Sequence, residues 1–265
     1  MRTASAAMAL LFAVCLALVG ACGGGEEEVT APTATAEQTP AVSFRDGLSI
    51  ETEDGLQLRA SSYGSGPTAM ILAHMRGSDR QSWSDTARGL ASGGEYTVLT
   101  FDFRGHGDSD DGDLADIDKD IRAAIQFMQV SGFDKIFVIG ASMGGTAALA
   151  VAAEEDLVGV VAISAPAEFE GIDALARIDQ VTEPKLFIAA SGDKPYADDL
   201  EDMFGQALEP KERKLFDGNE HGIALLKGDQ GRQVVETIEQ FLHQQYNRHS
   251  SELRFAARRV PRPST

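Results

Sequence analysis

The sequence predicts an α/β domain with a mostly parallel sheet, helices on both faces, an antiparallel hairpin at the N-terminal edge and no cap domain. Three features point there. Five apolar runs recur along the chain: Ala69–Ala73, Val98–Phe101, Ile136–Ile139, Val158–Ile163 and Leu186–Ala190. None alternates with polar residues, as expected of strands covered on both faces. The segments between them carry apolar residues at helical spacing. Strands alternating with helices then favour right-handed crossovers and parallel neighbours.

The hairpin is read from Leu48–Glu51 and Leu56–Ala60, which alternate apolar and polar residues around a turn at Asp54-Gly55. Helices are expected at Trp83–Ala91, Ile117–Val130, Met143–Ala153 and Val234–His243. Lys211–Phe216 is a more polar strand and belongs at a sheet edge. About twenty residues separate Ser164 from Lys185, enough for a loop and one short helix, Ile172–Ile178. That leaves no room for a cap domain, so the site should be open.

The 265 residues, 43% hydrophobic, suit one globular domain with a real core. The formal net charge of −18 argues against a nucleic-acid partner, because phosphates would be repelled. Arg2 followed by the uncharged run Ala6–Val19 reads as an export signal, too short to favour a spanning helix. Leu18-Val19-Gly20-Ala21-Cys22 resembles a bacterial lipobox, which implies a diacylated Cys22 as the mature N-terminus. Ordinary cleavage after Ala21, giving a secreted soluble protein, is the rival. Gly23–Pro40 is rich in Gly, Glu, Thr, Ala and Pro and reads as a flexible tether. Cys15 would leave with the signal and Cys22 would carry lipid, so the mature chain could form no internal disulfide. The expected organisation is signal peptide 1–21, tether 22–41, globular domain 42–247 and a basic tail 248–265. The tail reads as disordered, or as a contact for anionic headgroups through Arg254–Arg262.

In open α/β sheets, ligands bind beyond the carboxyl ends of the strands. Gly140-Ala141-Ser142-Met143-Gly144-Gly145 is a G-x-S-x-G sequence between a buried strand and a small-residue helix. That is the setting of a nucleophile elbow. A side chain at Gly140 or Gly144 would crowd such a turn, and the helix N-terminus offers N–H groups to a developing oxyanion. A serine hydroxyl needs a base. Of five histidines, His221 follows the last strand and is the best placed. His74 ends a strand, with a buried, backbone-bonded role as the alternative; His106 lies in a turn, and His243 and His249 sit on or after the last helix. The base needs a carboxylate to fix its tautomer. Asp193 follows the strand ending at Ala190, while Asp198, Asp199 and Asp202 read as a solvated helix face.

Together, His74-Met75-Arg76-Gly77, Asp102-Phe103-Arg104-Gly105-His106-Gly107-Asp108-Ser109, the Ser142 elbow, Asp193 and Glu220-His221-Gly222 resemble the α/β-hydrolase superfamily. The resemblance covers about Leu48–Gln245 and is nearest to small, capless members close to the dienelactone-hydrolase and serine-aminopeptidase-like groups. It implies the α/β-hydrolase fold, a Ser142–His221–Asp193 triad and an oxyanion hole from the Met143 N–H and a second N–H of the loop after His74. That second donor maps to Arg76, with Met75 as the alternative, because Met75 stands where the family usually has glycine. The Arg104 turn reads as scaffold. Acyl transfer to water from a small-molecule ester is the expected reaction, with peptide, amide and thioester bonds as rivals and a catalytically silent, ligand-binding lipoprotein as the alternative class. No cofactor or metal is expected.

Overall fold

The computed structural model describes residues 42–258. The expected signal segment, Cys15, Cys22 and the tether lie outside the described residues, as does the chain after 258. The first strands are β1 (Phe44–Glu51), β2 (Gln57–Gly64) and β3 (Thr68–Ala73), followed by α1 (Ser84–Ala91), β4 (Tyr96–Phe101) and α2 (Ile117–Val130). Next come β5 (Ile136–Ala141), α3 (Met143–Ala152), β6 (Gly159–Ile163) and a small hairpin, β7 (Glu168–Phe169) and β8 (Ile172–Asp173). The chain then forms β9 (Lys185–Ala190), α4 (Tyr196–Gln206), β10 (Lys211–Phe216), α5 (Ile223–Lys227) and α6 (Gly231–Arg258).

Eight strands form one sheet in the order β1-β2-β4-β3-β5-β6-β9-β10. β2 pairs antiparallel with β1 and β4, and every later neighbour is parallel. The parallel strands therefore end on one edge, where the loops after β3, β4, β5, β6, β9 and β10 gather.

The unalternating strands are buried on both faces, as their sequences require. On β3, Ala69, Ile71 and Ala73 join the core beneath α2, α3 and α4, while Met70 and Leu72 join the one beneath α1, α5 and α6. Each fully buried aliphatic side chain contributes roughly 1.5–3 kcal/mol, and β3, β4, β5, β6 and β9 are buried throughout. This double burial makes the central strands a rigid platform for the loops at their ends. Among the described residues no helix is long and apolar enough to cross a membrane.

Two expectations need correction. Ile172–Ile178 is not a helix: the segment enters through the β7–β8 hairpin and reaches a single 3-10 turn only at Ile178–Gln180. Glu170 and Gly171 both take positive φ, 49° and 87°, giving a two-residue hairpin turn that pairs Ile172 and Asp173 with Phe169 and Glu168 as strand. Ile172, Ala174 and Ile178 are all buried, so the apolar spacing was real but served a strand and a turn. The last helix also runs on to Arg258, past the boundary expected at 247. Residues 248–258 contain neither Gly nor Pro, and the first proline is Pro261, so nothing local stops the helix.

β9 opens on a wholly buried lysine. Lys185 Nζ donates to the carbonyls of Leu208 (2.8 Å) and Pro210 (3.4 Å), and burial lowers its pKa from 10.5 to about 8. Between those values the unfolded chain holds a proton that the folded chain does not, so stability should rise with pH from about 8 to 10.5. Below that window the cost of burying the charge is fully present. Lys185→Met should flatten this rise in urea-unfolding free energies measured across the window; an unchanged slope would contradict the assignment.

Candidate active site

Ser142 stands between β5 and α3 with φ 50° and ψ −122°, a conformation L-residues rarely adopt. Its N–H donates to the Ile163 carbonyl (2.8 Å), and its carbonyl accepts from Gly145 (2.8 Å) and Thr146 (3.1 Å). The turn closes only because its flanks lack side chains. A Cβ at Gly140 would lie 2.2 Å from the Gly144 carbonyl oxygen, and one at Gly144 2.7 Å from those of Ala73 and His74. Met143 is the first residue of α3, and the residue four back, Ile139, lies in β5. Its N–H therefore has no intrahelical partner and is free to meet a ligand.

The loops after β9 and β10 bring the other two residues. Ser191 N–H donates to the Phe216 carbonyl (2.7 Å) and Gly192 N–H to that of Gly218 (2.8 Å), tying the loops together. Asp193 Oδ2 lies 2.9 Å from His221 Nδ1, and His221 Nε2 lies 2.9 Å from Ser142 Oγ. A carboxylate only accepts, so Nδ1 carries the imidazole proton and Nε2 is left to accept from the Ser142 hydroxyl. Asp193 is 7% exposed and Ser142 9%, while the His221 side chain is 25% exposed. Serine, imidazole and carboxylate thus form one hydrogen-bonded series.

The remaining candidates separate cleanly. His74 is fully buried; its Nε2 accepts from Phe103 N–H (3.0 Å), so Nδ1 carries the proton and donates to the Met75 carbonyl (2.9 Å). Burial lowers its pKa to about 4, which keeps it neutral. Both of its ring nitrogens are thus taken by the backbone. His106 Nδ1 donates to the Arg104 carbonyl (3.1 Å). His243 is exposed near Glu95, and His249 is half-buried on the same helix. Asp198 and Asp202 are exposed on α4, whereas Asp199 accepts from Ala167 N–H (3.2 Å).

Met75 and Arg76 follow β3 at the same edge. The Met75 carbonyl also accepts from Ser78 N–H (3.2 Å). Because the Met75–Arg76 peptide is trans, the Arg76 N–H points away from the carbonyl that His74 holds. The Arg76 side chain is exposed, 3.6 Å from Glu170 and 5.9 Å over the Phe169 ring, so the β7–β8 hairpin borders this loop.

Below this loop lie two buried ion networks that composition alone did not reveal. Asp102 is wholly buried, pairs with the Arg80 guanidinium and accepts from the N–H groups of Arg80 (2.6 Å) and Asp108 (2.9 Å). Gly107 lies so close to it that a Cβ there would be 2.2 Å from its carboxylate. Arg104 pairs with buried Asp120 (2.7 Å) and with Asp54 of the β1–β2 turn (2.9 Å). The Asp102–Ser109 run is therefore scaffold that fixes the loops after β3 and β4 to each other.

Among the described residues no group of three or more His, Cys, Asp or Glu could hold a metal ion. A cavity of about 460 Å³ lies between the β1–β2 hairpin and the end of α2, lined in part by Arg45, Leu48, Phe127 and Phe133. None of Ser142, His221 or Asp193 lines it.

With this fold and geometry, residues 70–260 match the α/β hydrolase family, and the chain belongs to that family. No curated protein matches it in sequence. Its fold is similar to an α/β hydrolase of Penicillium sp. sh18 at 18% identity and a TM-score of 0.67, covering 77% of this chain and 99% of that one. An esterase of Pyrococcus furiosus aligns at 19% identity and 0.68, covering 77% and 93%. An esterase of Exiguobacterium antarcticum aligns at 16% and 0.64, covering 74% and 99%.

Proposed function

We propose that the protein is a serine hydrolase that cleaves a small carboxylic ester through an acyl-enzyme. The observation that carries this reading is the unbroken series from Ser142 Oγ through His221 to Asp193, 2.9 Å at each step, with the serine raised on a strained elbow. Ser142 Oγ attacks the carbonyl carbon while His221 Nε2 takes the hydroxyl proton, and Asp193 stabilises the imidazolium. The tetrahedral oxyanion is held by the Met143 N–H and by the Arg76 N–H, with Met75 as the alternative donor. His74 favours Arg76, because it fixes the peptide whose N–H Arg76 supplies. Collapse breaks the C–O bond, and the leaving alkoxide takes the proton from Nε2. Water then attacks the acyl-enzyme with His221 again as base, releasing the acid and regenerating Ser142. The similarity in fold to two esterases accords with an ester substrate.

Ser142→Ala should lower turnover of a small chromogenic ester by a factor of about 10⁴ or more. Turnover at the parental rate would overturn the reading.

The protein is further proposed to act outside the cytoplasm as a lipoprotein held to a membrane through acylated Cys22. The lipobox-like Leu18–Cys22 and the polar, Gly- and Pro-containing stretch up to Pro40 support this. Cys22→Ser should abolish palmitate incorporation and move the protein from the membrane to the soluble fraction. Retention of that variant in the membrane would contradict it.

A further inference from the structure

We propose that Tyr196 is a positioning residue for His221, acting as a rigid stop against the face of the imidazole. This rests on the reading of His221 as the base and adds a residue that the serine, histidine and carboxylate do not supply.

Hydrogen bonds hold His221 at two points, Nδ1 by Asp193 and Nε2 by Ser142. Otherwise the ring is attached only through Cβ, and torsion about its side-chain bonds is resisted by these two hydrogen bonds alone. The one to Ser142 is lost when Oγ is acylated, and the ring can then swing Nε2 off its target. A third contact, on the face of the ring, resists that swing. Tyr196 provides it: its ring centroid lies 4.1 Å from that of His221, with the planes 43° apart. That is close contact for two aromatic rings.

The position of Tyr196 is fixed from the same turn that delivers the carboxylate. It follows Asp193-Lys194-Pro195 directly and opens α4. The Asp193 carbonyl accepts from Ala197 N–H (2.9 Å), and Ala197 and Leu200 are buried beneath the helix. One rigid turn thus presents a carboxylate to the edge of the imidazole and an aromatic ring to its face. The Tyr196 hydroxyl makes no hydrogen bond among the described residues, so the ring, not the hydroxyl, does the positioning. The ring also covers part of the imidazole, whose side chain is 25% exposed with Tyr196 in place, and its π face favours the imidazolium that forms during the reaction.

The test is steady-state ester hydrolysis by the full chain carrying Tyr196→Phe, Tyr196→Leu or Tyr196→Ala, alongside the rate at which a fluorophosphonate modifies Ser142. Tyr196→Phe should keep kcat within about twofold. Tyr196→Leu keeps apolar bulk on the half-buried helix start and guards against a folding defect. It and Tyr196→Ala should lose about tenfold to a hundredfold in kcat, with KM within about twofold and a parallel loss in labelling rate. Parental kcat in Tyr196→Leu and Tyr196→Ala would overturn the proposal. So would a loss in Tyr196→Phe equal to that in Tyr196→Ala, or a loss confined to KM, which would make Tyr196 a wall of the substrate site. Failure of the parent chain itself to react at Ser142 would instead overturn the reading of the base, and this proposal with it.

Discussion

The backbone of Ser142 is the constraint on which the rest of the site depends. A non-glycine residue at φ 50° and ψ −122° costs about 1–3 kcal/mol and persists only where its surroundings over-determine it. Here β5 on one side and α3 on the other are buried at every residue. Three backbone hydrogen bonds at Ser142 lock the turn, and the glycines at 140 and 144 allow the strand, the helix and the end of β3 to approach within distances no side chain would permit. The same approach that strains the serine brings the start of α3 against the loop after β3. A hydroxyl raised above the sheet and two backbone segments converging beside it are consequences of one packing event.

Around this point the chain uses charge in two distinct ways. The chain is strongly acidic overall. The interior beneath the site carries balanced pairs, Arg80 with Asp102 and Arg104 with Asp120. Such pairs add little net stability over apolar packing, but removing one partner strands a buried charge and costs about 3–5 kcal/mol. Their geometric effect matters more here. Asp102 takes the backbone N–H groups of both Arg80 and Asp108, so the loops after β3 and β4 cannot move independently. His74 adds a second tie between them, through Phe103 N–H and the Met75 carbonyl. The loop proposed to supply the second oxyanion donor is thereby held from below by neutral and charged hydrogen bonds alike.

Much of this was legible in the sequence, for physical reasons. The five apolar runs had no other use than strands buried on both faces, and they became β3, β4, β5, β6 and β9. Gly140 and Gly144 marked a close approach, and the chain order of Ser142, Asp193 and His221 matched the way a parallel sheet delivers loops to one edge. What stayed hidden depended on contacts distant in sequence or on local backbone geometry. Arg80 was one cation among many until the fold set it beside Asp102. Tyr196 carried no motif, because its meeting with His221 is made by two loops that only β9–β10 pairing brings together. The Ile172–Ile178 segment was misread because buried residues two and four apart fit a helix as well as a strand followed by a turn. The one available signal, Glu170-Gly171, indicates a tight turn only when both residues take positive φ.

The central claim is that Ser142 is the nucleophile, and covalent capture tests it most directly. The full chain would be treated with a fluorophosphonate, digested and sequenced by mass spectrometry. The account predicts a single phosphonyl adduct on Ser142, suppressed by competing ester substrate. A folded protein that remains unmodified, or carries its adduct on another serine, would contradict it.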